Sequence, residues 1–241
     1  MSKMRVAGRN ACCLRASRMT STLPEHCTLT ARDLACRRNE RSLFADLSFT
    51  VTGGQAVALT GPNGIGKTSL LRILAGLLRA ETGSVSITPA LPELDLPQRS
   101  VFVSSRDPLK GAFSVRELLT GWQSIVFRGE GGAVTEALQA FDLSALADVP
   151  CAYLSSGQRR RVSLARLKLA SGMHRPLWLL DEPTNALDAS ARERLARVVA
   201  DHLAAGGLVV AATHDPLEWP HLRTLDLGAH VMGQDLMATP A

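Results

Sequence analysis

Long apolar runs are absent from this sequence: no stretch approaches the roughly eighteen uncharged apolar residues that a membrane-crossing helix needs. The chain does not span a bilayer as a helix by itself, and any membrane role has to come through a partner. Acids are absent before Glu25, where Lys3, Arg5, Arg9, Arg15 and Arg18 stand alone. Taking those five from the 27 bases leaves 22 against 22 acids, so the formal charge of +5 belongs to the leader. The remainder offers no global basic face of the kind a nucleic-acid binder shows. That leader, Met1 to about Pro24, is arginine-rich with Ser and Thr and no secretory apolar core. It resembles an organellar transit peptide, and a disordered tail or a misplaced start, with Met4 and Met19 as other candidates, explains it too. C-x-x-C spacing is also absent. Five scattered cysteines, Cys12, Cys13, Cys27, Cys36 and Cys151, argue against a disulfide frame or zinc site and for a reducing compartment. No internal repeat or low-complexity tract is found.

What is present suffices for one large α/β domain: 241 residues, 46% of them apolar, can bury a substantial core. Residues 1–27 read as the basic leader and 28–241 as a single domain. The stretch GPNGIGKTS, Gly61 to Ser69, lies between the apolar run Ala56 to Leu59 and the helical pattern Leu70, Leu71, Ile73, Leu74. Gly61 to Thr68 fits G-x-x-x-x-G-K-[ST] in full, in the strand-to-helix position that a phosphate cradle requires. Glycines at 61, 64 and 66 let backbone amides turn toward a di- or triphosphate. Lys67 supplies a charge for the β and γ phosphates. Thr68 supplies a hydroxyl for Mg²⁺ at a helix N-terminus whose dipole favours anions.

Read in order, strands are expected over Thr28 to Cys36, Leu43 to Thr52 and Gln55 to Thr60, with Gly53-Gly54 as a hairpin turn. Lys67 to Leu78 should be a helix and Gly83 to Thr88 a strand. Pro89, Pro92 and Pro97 mark a loop before a strand from Arg99 to Ser104. Helical periodicity then dominates from about 107 to 172, over Val115 to Phe127, Val134 to Phe141 and Ser156 to Ala170. Strands return at Leu177 to Leu180, Leu208 to Ala212 and Leu222 to Leu227, with a helix from Ala189 to Ala205.

Leu177 to Leu180 runs into Asp181 and Glu182. A parallel strand delivers such acids to the sheet edge where a ligand sits, so Asp181 suits the Mg²⁺ shell and Glu182 an attacking water. Leu154-Ser155-Ser156-Gly157-Gln158 opens a helix and offers hydroxyls and bare backbone, a second anion site remote from the cradle. A serine-capped helix whose arginines 159 to 161 are solvated accounts for it equally well.

Together, GPNGIGKTS, LSSGQ, LLDEPTNALD and Thr213-His214, in this order and spacing over about Leu29 to Leu227, resemble the ATP-binding-cassette (ABC) ATPases. The resemblance implies a P-loop cassette with a mixed or parallel sheet core, an antiparallel β lobe and a helical signature subdomain. It implies ATP and Mg²⁺ as ligands. Gly61, Pro62, Asn63, Gly64, Ile65, Gly66, Lys67, Thr68 and Ser69 would form the Walker A loop, and Asp181 the end of Walker B. Glu182 would be the catalytic carboxylate, Ser155, Ser156, Gly157 and Gln158 the signature, Asn185 to Asp188 the D-loop, and His214 the switch histidine. Two such cassettes meet head to tail, so a second copy of this chain is implied.

Two departures stand out. Arg106 occupies the position of the family's metal-binding glutamine, and a cation cannot ligate a metal. Arg37, Arg38, Asn39 and Arg41 stand where an adenine-stacking aromatic is usual, and an arginine plane can stack on a base. The phrases SRDPLKGAFSV, LSSGQRRRVSLARL and THDPLEW are similar to the ATP-binding subunits of the haem exporters of cytochrome c maturation. This implies integral membrane partners, a place on the cytoplasmic face of the bacterial inner membrane (an organelle if the leader is a transit peptide), and haem handled indirectly. His174, His202, His214, His221 and His230 read as surface or switch residues. Competing readings are a subunit of another small transporter, a soluble cassette acting on nucleic acid or ribosomes, and an inert nucleotide-binding scaffold.

Overall fold

A computed structural model describes residues 27–38, 41–106, 109–127, 132–171 and 174–230. Residues 1–26 of the leader, Asn39, both ends of the predicted 107–172 segment and the last eleven residues of the expected 28–241 domain lie outside them. The first sheet is antiparallel, in the order β2-β1-β4, from β1 (Thr28–Arg38), β2 (Arg41–Thr52) and β4 (Thr82–Thr88). Buried residues on β1 run Leu29, Ala31, then Leu34, Cys36. Asp33 takes φ 48° at a register shift between Ala31 and Leu34. This bulge resets the period-two alternation, so both halves of the strand face one core.

The second sheet is parallel, in the order β5-β6-β7-β3-β8, from β3 (Ala56–Thr60), β5 (Ser100–Val103), β6 (Leu177–Asp181), β7 (Leu208–Ala212) and β8 (Leu222–Asp226). Strands β6, apolar up to Asp181, and β7 are buried throughout, the mark of a parallel sheet covered on both faces. Alternate side chains separate two cores. Leu177, Leu179, Leu208 and Val210 join α1 (Lys67–Leu74) and the antiparallel sheet. Trp178, Leu180, Val209 and Ala211 join α3 (Val115–Gly121), α4 (Val134–Ala140), α5 (Ser156–Leu169) and α6 (Ala189–Ala204).

Several expectations are corrected. Gly53-Gly54 is no hairpin turn, because β2 and β3 lie in different sheets. The pair instead stitches the sheets together, Gly53 N donating to Cys27 O at 2.7 Å and Gly54 N to Gly207 O at 2.8 Å. Helix α1 stops at Leu74, a turn early, where Gly76 (φ 69°) ends it against Pro97. Pro97 is no loop residue but sits in the first turn of α2 (Leu96–Arg99), which Asp95 and Gln98 cap; proline tolerates that position since its missing N–H has no helical partner there. Trp122–Val126 continues α3 as a π-turn. His202 is buried, its ring stacked on Trp178 with centroids 3.6 Å apart. Cys27, Cys36 and Cys151 are free and buried, and burial raises each thiol above its ordinary value.

Candidate active site

Strands β3, β6 and β7 are adjacent and parallel, so the loops leaving their C-terminal ends meet at one edge. The loop after β3 carries Gly61, Gly64 and Gly66 at φ 124°, 77° and 117°, a left-handed region closed to most side chains. At Gly66 a Cβ would also lie 3.1 Å from both Leu43 and Phe44. The loop is therefore pinned against β2. Ile65 is buried with the core, while Pro62, Asn63 and Gly64 are exposed. Ser69 is buried in the first turn of α1.

Inside the loop, Lys67 Nζ donates to Gly61 O at 2.6 Å and lies 3.5 Å from Pro62 O. Burial draws its ammonium below the ordinary value, and the carboxylates of Glu182 and Asp181 oppose the shift. Thr68 Oγ1 donates to Asp181 Oδ1 at 3.1 Å and Oδ2 at 3.2 Å. One hydroxyl and one carboxylate are hard oxygen donors that suit Mg²⁺, which completes its shell with water and phosphate. Among the described residues no cluster of three His, Cys, Asp or Glu offers a different metal site.

Glu182 adopts φ 47°, which costs a non-glycine residue on the order of 1 kcal/mol. Its amide donates to Ala212 O at 2.8 Å, holding the turn to β7. His214, after β7, brings Nε2 within 3.6 Å of Glu182 Oε1, 3.0 Å of Lys67 Nζ and 2.7 Å of Asn63 Oδ1. One ring nitrogen holds one proton or one lone pair. It accepts from Lys67 or donates toward Asn63 or Glu182, never both at once.

The cleft of about 370 Å³ at this edge is lined by Lys67, Thr68, Ser69, Asp181, Glu182 and their neighbours. Arg38 lines it as well, while Arg37 pairs with Glu81 at 3.3 Å. Two lining residues were missed in the sequence. Leu43 carries no signal beyond its place in β2. Ser105, one position before Arg106, is a small polar residue in a loop and carries no motif.

Ser155, Ser156, Gly157, Gln158 and Asp188 do not line this cleft. Ser155 Oγ accepts from Gln158 N at 3.2 Å, and Gln158 Oε1 accepts from Ser155 N at 2.8 Å, a capping box that leaves the serine proton free to donate. At Gly157 a Cβ would come within 2.7 Å of Ala186 O, so the start of α5 is packed on the loop after β6. Asp188 caps α6, accepting from Ala191 N at 2.8 Å. Of the three arginines that follow Gln158, Arg159 is exposed as expected, whereas Arg160 is buried and Arg161 binds Phe141 O and Asp142.

A family profile described as "ABC transporter" matches residues 44–185. The chain belongs to the ABC transporter family. Membership brings the class of enzyme with it, an ATPase coupled to transport. The cassette is 48% identical over 189 residues to a "Cytochrome c biogenesis ATP-binding export protein CcmA" of Nitrobacter winogradskyi, covering 78% of this chain and 92% of that protein. It is 42% identical to the protein of the same name from Rhizobium meliloti, covering 84% and 99%. A solved putative ABC transporter ATP-binding protein from Pyrococcus furiosus shares the cassette fold at TM-score 0.69 and 22% identity, over 85% of this chain and all of that one.

Proposed function

We propose that the chain binds ATP with Mg²⁺ in this cleft and hydrolyses it once a second copy lends Ser155, Ser156, Gly157 and Gln158. The work then passes to integral membrane subunits that export haem, or release it from a periplasmic chaperone, during cytochrome c maturation. The observation that carries this reading is the meeting of Lys67, Thr68, Asp181 and Glu182 in one cleft, with His214 against Lys67 and Glu182, while the chain's own residues 155–158 do not line it. A twin copy in head-to-tail contact answers that geometry.

The glycine-lined loop binds the phosphate chain and Lys67 offers its ammonium to the β and γ phosphates. Thr68 and Asp181 would hold Mg²⁺, which would supply positive charge against the negative charge that develops on transfer. Glu182 orients a water and accepts its proton as the water oxygen attacks the γ-phosphorus. The bond to the β–γ bridging oxygen breaks, leaving ADP and phosphate. His214 holds Glu182 and reports the γ-phosphate. Arg38 offers the base a flat cationic face in place of an aromatic.

No helix among the described residues is long and apolar enough to cross a membrane. We place the cassette at the cytoplasmic face of the inner membrane through its partners. The exposed Leu77, Leu78, Ile125 and Val126 offer such a partner an apolar surface. The names of the relatives support cytochrome c biogenesis as the process.

Glu182→Gln tests the chemistry. Turnover should fall about 10²-fold or more with ATP binding intact, as when one preorganised catalytic group is lost. Undiminished turnover removes Glu182 from this role. Co-purification from membranes, with c-type cytochrome assembly measured after deletion, tests the process; normal assembly would refute it.

A further inference from the structure

We infer that Arg160 is a positioning residue that ties the signature helix to the catalytic turn and to the loop leaving β5. This rests on the role proposed for Glu182. Arg160 lies on α5 and is 2% exposed. Its Nη2 donates to Asp181 O at 2.8 Å and to Glu182 O at 2.7 Å. Its Nε donates to Pro183 O at 3.4 Å, and Nη1 to Ser104 O at 2.6 Å. One buried fork therefore grips three consecutive carbonyls around Glu182 and a fourth two residues before Arg106.

Each of those carbonyls belongs to a segment that matters to the site. Asp181 and Glu182 line the cleft, and Ser105 follows Ser104 into the same lining. Glu182 holds a left-handed φ of 47°, and such a conformation persists only where surrounding contacts over-determine it. The grip on the carbonyls before and after the Glu182 peptide units supplies that constraint from one side, and the bond from Glu182 N to Ala212 O from the other. Ser155, which caps the same helix, and Gly157, in its first turn, would touch the nucleotide of a second copy and stand five and three residues before Arg160. A shift of α5 on meeting that nucleotide is thus carried to Glu182 through a rigid planar guanidinium. In this chain Arg106, exposed and cationic, stands where the resemblance implies a metal-binding glutamine, and Arg160 holds the loop that carries it through Ser104 O.

Arg160→Lys keeps the charge but replaces a planar fork by a single point donor. In the full-length chain, ATP affinity should stay within about two-fold while kcat drops about ten-fold or more, the signature of an interaction used in the transition state alone. Unchanged kcat overturns the inference, as does a drop in kcat matched by equal losses of ATP affinity and thermal stability, which would mark a merely structural role. Should that variant not fold, hydrogen exchange of the wild-type chain with Mg-ATP decides. Residues 103–106, 156–163 and 181–187 should gain protection together, and protection confined to 61–69 refutes the link. Glu182→Gln run alongside separates the two readings. Slow Glu182→Gln with normal Arg160→Lys sinks only the role of Arg160, whereas full turnover in Glu182→Gln sinks the reading on which it stands.

Discussion

Acid should destabilise this protein through His202, a histidine the proposed chemistry does not use. His202 is 7% exposed on α6, stacked on Trp178, with Nε2 2.9 Å from Pro176 O. Burial pushes its pKa from 6.5 down to about 4, against hydrogen bonds to Pro176 and Leu208. A depressed folded value means the unfolded chain binds the proton first. Stability is then complete above the unfolded pKa and is lost as pH falls toward the folded one. Between about pH 7 and pH 5 the loss from this one group is about 2 kcal/mol, and roughly 3 kcal/mol at its limit. His202→Phe keeps a ring on Trp178 and removes the titration; Pro176 O keeps its bond from Leu208 N at 2.8 Å, so the loss at every pH is that of one hydrogen bond, about 0.5–1.5 kcal/mol. Urea unfolding of both proteins across this range should show the difference between them shifting by about 2 kcal/mol in favour of the variant on acidification. Parallel curves would refute a neutral, buried His202.

Two further substitutions probe the cleft and its surroundings. Lys67→Ala removes the buried cation that lies inside the phosphate loop, so nucleotide binding itself should be lost in a fluorescent-ATP titration. Wild-type affinity would count against the cradle. Gly157→Ala places a methyl 2.7 Å from Ala186 O, and overpacking of this kind costs about 1–3 kcal/mol. A melting temperature lowered by about 2–10 °C is expected, and an unchanged one would mean the signature and D-loop separate freely.

The phosphate loop and the Asp181-Glu182 pair were legible because their chemistry is local: residue types at fixed short spacing beside an apolar strand. Most strands were found within one or two residues for the same reason, since β3, β6 and β7 are unbroken apolar runs. The failures share a different cause. Gly53-Gly54 carries the pattern of a hairpin, and only the pairing of β2 with β1 rather than β3 shows that it joins two sheets. His202 reads as one more polar residue of an amphipathic helix until the Trp178 ring is seen lying parallel to it.

Arg160 shows why such residues stay hidden. The sequence offers three successive arginines after a serine cap, and a helix with a solvated cationic side is the economical reading. In the structure the middle one turns inward, and what receives it is the carbonyls of Ser104, Asp181, Glu182 and Pro183. Every residue type carries a carbonyl, so no pattern of side chains can announce the partner. What can announce it is an unusual backbone nearby, here a glutamate in the left-handed region. The motif names the group proposed for the chemistry, and the left-handed backbone at that group points to the neighbour that grips its carbonyls.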